Sequence, residues 1–186
     1  MDVRAVSSSF SPMPHASNEP RRVALISTGG TIEKTYDELQ GVLTNEVSVL
    51  DVMLAQLELG GVTIEKVTLM NKDSLEMNEA DHRLIAETAA HKSRESDGVI
   101  IVHGTDTLAV TGDAIHALDA KPPVPIILTG AMRPYEMRST DAMQNLVEAL
   151  LAVQLAPPGV YVAMHNKLLA FPGVRKDSRL GTFVKD

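Results

Sequence analysis

Four short segments carry residues suited to chemistry: Ser27-Thr-Gly-Gly-Thr-Ile-Glu33, Met70-Asn-Lys-Asp-Ser-Leu-Glu-Met-Asn78, His103-Gly-Thr-Asp-Thr107 and Thr129-Gly-Ala-Met-Arg-Pro134. In the first, Gly29 and Gly30 allow positive φ and let a ligand approach the backbone closely. A tight turn with capping threonines accounts for this segment, and so does a hydroxyl nucleophile at Thr31. A threonine needs a base or a proton relay to attack at neutral pH. A phosphate loop fits poorly, because there is no GxGxxG run and no lysine in the Walker position. In the third segment, Asp106 stands where an apolar run ends and a helical pattern begins. It could cap that helix, or hold a substrate ammonium while Thr105 relays a proton. Glycine amides at a helix N-terminus would help to hold an oxyanion. Arg133 and Arg138 bracket Pro134 and precede Asp141, which predicts an ion-pair network shaping a loop. Lys176, in Val174-Arg-Lys-Asp-Ser-Arg179, reads on its own as a solvated surface lysine.

The elements that must position these segments alternate. Val23–Ile26, Val62–Leu69, Gly98–Val102, Pro125–Thr129 and Gly159–Ala163 are short apolar or alternating runs that predict strands. Between them lie helical patterns: Val47, Leu50, Leu54 and Leu57 on one face, then Glu79–Arg94 with Asn78 as its cap, Thr107–Leu118 and Thr140–Gln154. Strands alternating with helices call for an α/β fold with a mostly parallel sheet. Continuously apolar strands fit a sheet covered on both faces. About five strands predict a doubly wound, flavodoxin-like arrangement, followed after Met164 by a short irregular or hairpin extension. Ligands of such sheets bind beyond the carboxyl ends of the strands, and that is where all four segments fall. Residues 31–44, polar around Tyr36 and hinged near Gly41, suit a lid.

Composition narrows the classes. The chain has 186 residues, 44% of them hydrophobic, enough for one cored domain over residues 21–186. Residues 1–20 are rich in Ser, Pro and Ala, lack an apolar signal core and read as a flexible leader, so the cytoplasm is the expected location. A net charge of −7 and 3% aromatic residues argue against nucleic acid and anionic membranes as partners. Cysteine is absent, which removes disulfides and thiolate metal sites. The six histidines have no paired ligand spacing, so neither a metal nor a cofactor is expected.

Taken together, Thr28-Gly-Gly-Thr-Ile32, Asp73-Ser74 with Met77-Asn78, His103-Gly-Thr-Asp-Thr107, Thr129-Gly-Ala-Met-Arg-Pro134, Ser139-Thr-Asp141 with Asn145-Leu146, and Val174-Arg-Lys176 resemble the bacterial-type L-asparaginase family. The match runs in the family's order from about residue 22 to the end of the chain. The resemblance implies a double displacement: Thr31 attacks a side-chain amide, ammonia leaves, and water cleaves the acyl-enzyme. It implies a catalytic set of Thr31, Tyr36, Thr105, Asp106 and Lys176, with Lys176 buried rather than solvated. The implied substrate contacts are Gly30, Asp73, Ser74, Gly104, Thr105, Asp106 and Ala131, with Asp106 on the α-ammonium and Ser74 on the α-carboxylate. The implied substrate is L-asparagine, with L-glutamine or another side-chain amide as the alternative. A small domain with its site at the sheet edge, where a neighbour can close it, predicts a homodimer or homotetramer. Three features depart from long relatives. Their second domain is missing, Tyr36 follows Thr31 by only five residues, and Leu75 replaces a polar residue after the serine. The first two resemble short-chain forms. The departures leave a non-catalytic amino-acid-binding module as the competing expectation.

Overall fold

A computed structural model describes residues 19–44 and 49–185. Most of the expected leader and Val47 lie outside the described residues. The central sheet has six strands in the order β4-β1-β5-β6-β7-β8. These are β1 (Arg21–Gly29), β4 (Val62–Lys72), β5 (Gly98–Val102), β6 (Pro125–Thr129), β7 (Gly159–Met164) and β8 (Lys167–Ala170). The first five pair in parallel, and β8 returns antiparallel along β7 through His165 and Asn166, both at positive φ. The parallel strands alone have chain order 2-1-3-4-5, the flavodoxin-like arrangement that the alternation predicts.

Side chains alternate across the strands, so each face has its own core. Val23, Leu25, Ile100, Val102 and Ile127 pack against α1 (Leu50–Leu54) and α4 (Ala142–Leu155). Ala24, Ile26, Val99, Ile101 and Ile126 pack against α2 (Glu79–Lys92) and α3 (Leu108–Leu118). The expected capping of α2 is present in full. Asn78 Oδ1 accepts from the Ala80 and Asp81 amides, and Asp81 reaches back to the Asn78 amide. The first helix is shorter than its apolar spacing predicts. It covers only Leu50–Leu54, burying Leu50 and Met53.

Two hairpins flank the sheet, β2 (Thr35–Asp37) with β3 (Val42–Thr44) and β9 (Val174–Asp177) with β10 (Thr182–Lys185). The second is the predicted C-terminal extension, and it packs over α3. Phe171 is buried against Gly112, where an added Cβ would lie 2.1 Å from the ring. The Gly173 amide donates to Asp113, and Lys167 Nζ donates to the Phe183 carbonyl at 3.2 Å.

Candidate active site

The strand order reverses between β1 and β5, since their successors in the chain lie on opposite sides. That switch point opens a crevice at the carboxyl ends. Register aligns Ser27 with Val102, and Val102 with Thr129. The segments after β1, β5 and β6 therefore leave the sheet side by side.

Glycines let these segments touch backbone to backbone. Gly29 and Gly30 have φ of 95° and 84°. A Cβ on Gly30 would fall 2.4 Å from the Gly104 amide nitrogen, and one on Gly104 would fall 2.5 Å from Ser74 Oγ. Only glycine permits both the dihedral angles and the approach. Thr31 thus emerges next to Gly104, at the start of a single 3-10 turn, Thr31–Glu33. Thr28, the other threonine of the segment, is fully buried and donates to the Val102 carbonyl at 2.9 Å. Its hydroxyl is a structural one, whereas Thr31 is half-buried. Glu33 closes the turn from inside, where its buried Oε2 accepts from Ser27 Oγ at 2.5 Å and from the Gly29 amide at 3.2 Å. Nothing in the sequence pattern singles out Glu33 for this role.

Thr105 and Asp106 meet a residue from far along the chain. Lys176 Nζ lies 2.9 Å from Thr105 Oγ1 and 2.7 Å from Asp106 Oδ1. The Lys176 side chain is 21% exposed, against the solvated state that its own segment suggests. Asp106 is not the helix cap; Thr107 occupies that position, and its hydroxyl donates instead to the Ser74 carbonyl at 2.9 Å.

The segment after β4 forms a second 3-10 turn, Ser74–Glu76. Asp73 holds it in place. Its Oδ2 pairs with Lys34 Nζ at 2.7 Å, and its Oδ1 accepts from the Leu75 amide at 3.0 Å. Lys34 first, and then that amide, hold the Asp73 carboxyl below its ordinary pKa. Asp73 thereby joins the Thr31 turn to the Ser74 turn. Ser74 is 1% exposed, and its Oγ has no partner among the described residues. A buried hydroxyl in that condition is costly unless a ligand completes it.

The remaining expected residues are placed less centrally. Tyr36 lies on the β2–β3 hairpin with 60% of its surface exposed, and no hydrogen bond joins its ring hydroxyl to Thr31. Its backbone amide donates to Glu136 Oε2 at 2.7 Å. Leu75 is 73% exposed. Ala131 is buried two residues beyond the end of β6. The Arg133–Asp141 network exists in altered form. The guanidinium approaches only to 4.0 Å, whereas Asp141 accepts from the Met132 and Arg133 amides, Asn145 Nδ2 and His165 Nε2. Burial works to raise the Asp141 pKa, but the Met132 amide, His165 and the Arg133 amide outweigh it and hold it low. Arg138 is exposed and takes no part.

Comparison with known proteins agrees with this fold. Residues 22–182 match the family described as Asparaginase, N-terminal. An L-asparaginase of Thermococcus kodakarensis is 33% identical over 86% of this chain and 49% of its own. A subunit of the glutamyl-tRNA(Gln) amidotransferase of Haloquadratum walsbyi is 36% identical over 77% of this chain and 33% of its own. The solved structure of the thermostable T. kodakarensis L-asparaginase superposes with a TM-score of 0.80, covering 88% of this chain and 51% of that one. The chain therefore spans about half the length, or less, of these relatives. Together, the strand order, the glycine-packed crevice and the match over 22–182 place this chain in the asparaginase family, as a counterpart of its N-terminal domain.

Proposed function

We propose that the chain hydrolyses the side-chain amide of L-asparagine through a threonyl ester at Thr31. The observation that carries this reading is the placement of Lys176 Nζ within hydrogen-bond reach of both Thr105 and Asp106. A hydroxyl linked to an amine can pass a proton, which is what a threonine nucleophile requires. In the proposed cycle Thr31 Oγ1 attacks the amide carbon, its proton passes by way of Thr105 and Lys176 to the amide nitrogen, and the C–N bond breaks to release ammonia. Water then attacks the ester, releasing aspartate and restoring the Thr31 hydroxyl. Asp106 spends Oδ1 on Lys176, so Oδ2 is the atom for the substrate ammonium. Ser74 Oγ, buried and unpartnered, is the donor for the α-carboxylate. Gly30, Gly104 and Ala131 supply the close backbone walls, and the β2–β3 hairpin with Tyr36 is the proposed lid. A pocket distinguishes one methylene by only about 1–3 kcal/mol, so slow turnover of L-glutamine is expected. Thr31→Ala should fold normally and lose about three orders of magnitude or more in kcat. Full ammonia release by that variant would end the nucleophile assignment.

The relatives named as parts of a glutamyl-tRNA(Gln) amidotransferase favour a second reading, in which the ammonia is consumed by a partner protein. Ammonia release by the isolated chain supports the first reading, and release only with a partner present supports the second. Calorimetric binding of aspartate with no ammonia from either experiment would leave an amino-acid-binding module.

A further inference from the structure

Behind the crevice, three buried side chains form a line that the proposed cycle does not use. His103 directly follows β5 and is fully buried, with Nδ1 2.8 Å from the Gly104 carbonyl and Nε2 2.8 Å from Thr111 Oγ1 on α3. Thr111 Oγ1 also lies 2.7 Å from His82 Nδ1 on α2. The two rings stack with centroids 6.1 Å apart and planes 14° apart. Proton positions along this line follow from chemistry. A carbonyl only accepts, so His103 Nδ1 carries the proton. Burial lowers the His103 pKa to about 4, so near neutral pH the ring is uncharged and Nε2 offers a lone pair. Thr111 must donate its single proton there, and must in turn accept from His82 Nδ1–H. Every member then donates in one direction, towards Gly104.

The end of the line is a sensitive place. The Gly104 oxygen shares a trans peptide plane with the Thr105 amide, which points the opposite way. Gly104 is also the residue on which Gly30 and Ser74 close, at the distances given above. Holding the Gly104 oxygen against His103 therefore sets the rotation of the peptide that joins Thr31's neighbour to Thr105.

We infer that His82, Thr111 and His103 form a directional relay that holds His103 in its Nδ1-protonated tautomer and thereby positions the 104–105 peptide for the reaction. They are positioning residues, and the inference rests on the hydrolase reading for its kinetic part only. The test compares Thr111→Val, which keeps the volume but removes both hydrogen bonds, with Thr111→Ser, which keeps both. Long-range ¹H–¹⁵N spectra of histidine-labelled protein near neutral pH should show His103 protonated at Nδ1 in the wild type and in Thr111→Ser. Thr111→Val should show mixed tautomers and a shifted Thr105 amide resonance. On asparagine its kcat should fall about tenfold with KM within about twofold, as expected for a lost positioning hydrogen bond, and Thr111→Ser should recover most of the rate. A wild-type His103 protonated at Nε2, or a folded Thr111→Val with wild-type tautomer and rate, would overturn the relay. Should Thr111→Val fail to fold, His82→Asn, which keeps a donor at the Nδ1 position, against His82→Leu makes the same comparison. Wild-type protein that releases no ammonia ends the hydrolase reading alone, and the spectra decide the relay in either case.

Discussion

Lys176 is flanked by Arg175 and Asp177, which pair with one another at 3.7 Å on one face of β9. The alternation of a strand turns Lys176 to the other face, towards Thr105 and Asp106. Its two immediate neighbours are charged, so its own segment reads as a solvated one, and the partners that bury it come from 70 residues away in the chain. Lys176→Met keeps the length of the side chain and removes the amine. It should lower kcat/KM for asparagine by about 10²–10⁴-fold with little change in thermal midpoint, measured by ammonia release and calorimetry. His103 makes a different kind of prediction. Its folded pKa of about 4 lies below the ordinary 6.5, so between those values the unfolded chain binds the extra proton. Stability should therefore fall as pH drops from 6.5 towards 4, by on the order of 3 kcal/mol from this residue. Asp73 and Asp141, whose pKa values are depressed, add their loss below the carboxylate value of 3.8. Denaturant titrations over pH 4–7 check the sign, and a flat response down to pH 4 would contradict a buried neutral His103.

Among the elements, α2 was legible to its cap, because Asn78 and Asp81 sit at the spacing at which each satisfies the other's backbone amide. Asn78→Ala should cost about 1 kcal/mol in denaturant unfolding and leave activity intact. The first helix was less legible. Leu50, Leu54 and Leu57 keep a helical spacing, but the helix ends at Leu54 and the chain turns through Gly60 and Gly61 into β4. The β9–β10 hairpin was foreseen as a short irregular or hairpin extension, but not where it would pack. Its position depends on Phe171 settling on Gly112, a contact that no periodicity encodes. Gly112→Ala should lower stability by about 1–3 kcal/mol, because a Cβ there overlaps the ring. It should also reduce activity, since the same contact seats β9 and with it Lys176. A variant that loses stability but keeps kcat/KM would show that Lys176 is held independently.

For the whole molecule, the crevice lies at one edge of the parallel sheet, with the β2–β3 hairpin and the β9–β10 hairpin beside it. Relatives carry roughly as much chain again as this one matches. We propose that a second copy of the chain closes over the crevice. Light scattering at concentrations where the chain is active should then report two or four chains, and an active monomer would refute the proposal. Among the described residues no helix is long and apolar enough to cross a membrane.

Sequence alone determined the strand–helix alternation, the parallel sheet, and the set of segments at its carboxyl edge, because these follow from local periodicity and turn chemistry. It also placed Thr31, Ser74, Thr105 and Asp106 in those segments. Only the tertiary structure decided which polar side chains are spoken for. Thr28 is bonded to Val102, Asp73 to Lys34, and Ser74 Oγ is left without a partner among the described residues. The same holds for Glu33 and the His82–Thr111–His103 line, whose members come from different elements. Hydrogen-bond partners brought together by packing leave no periodic trace in a chain, whereas the elements that bring them together do.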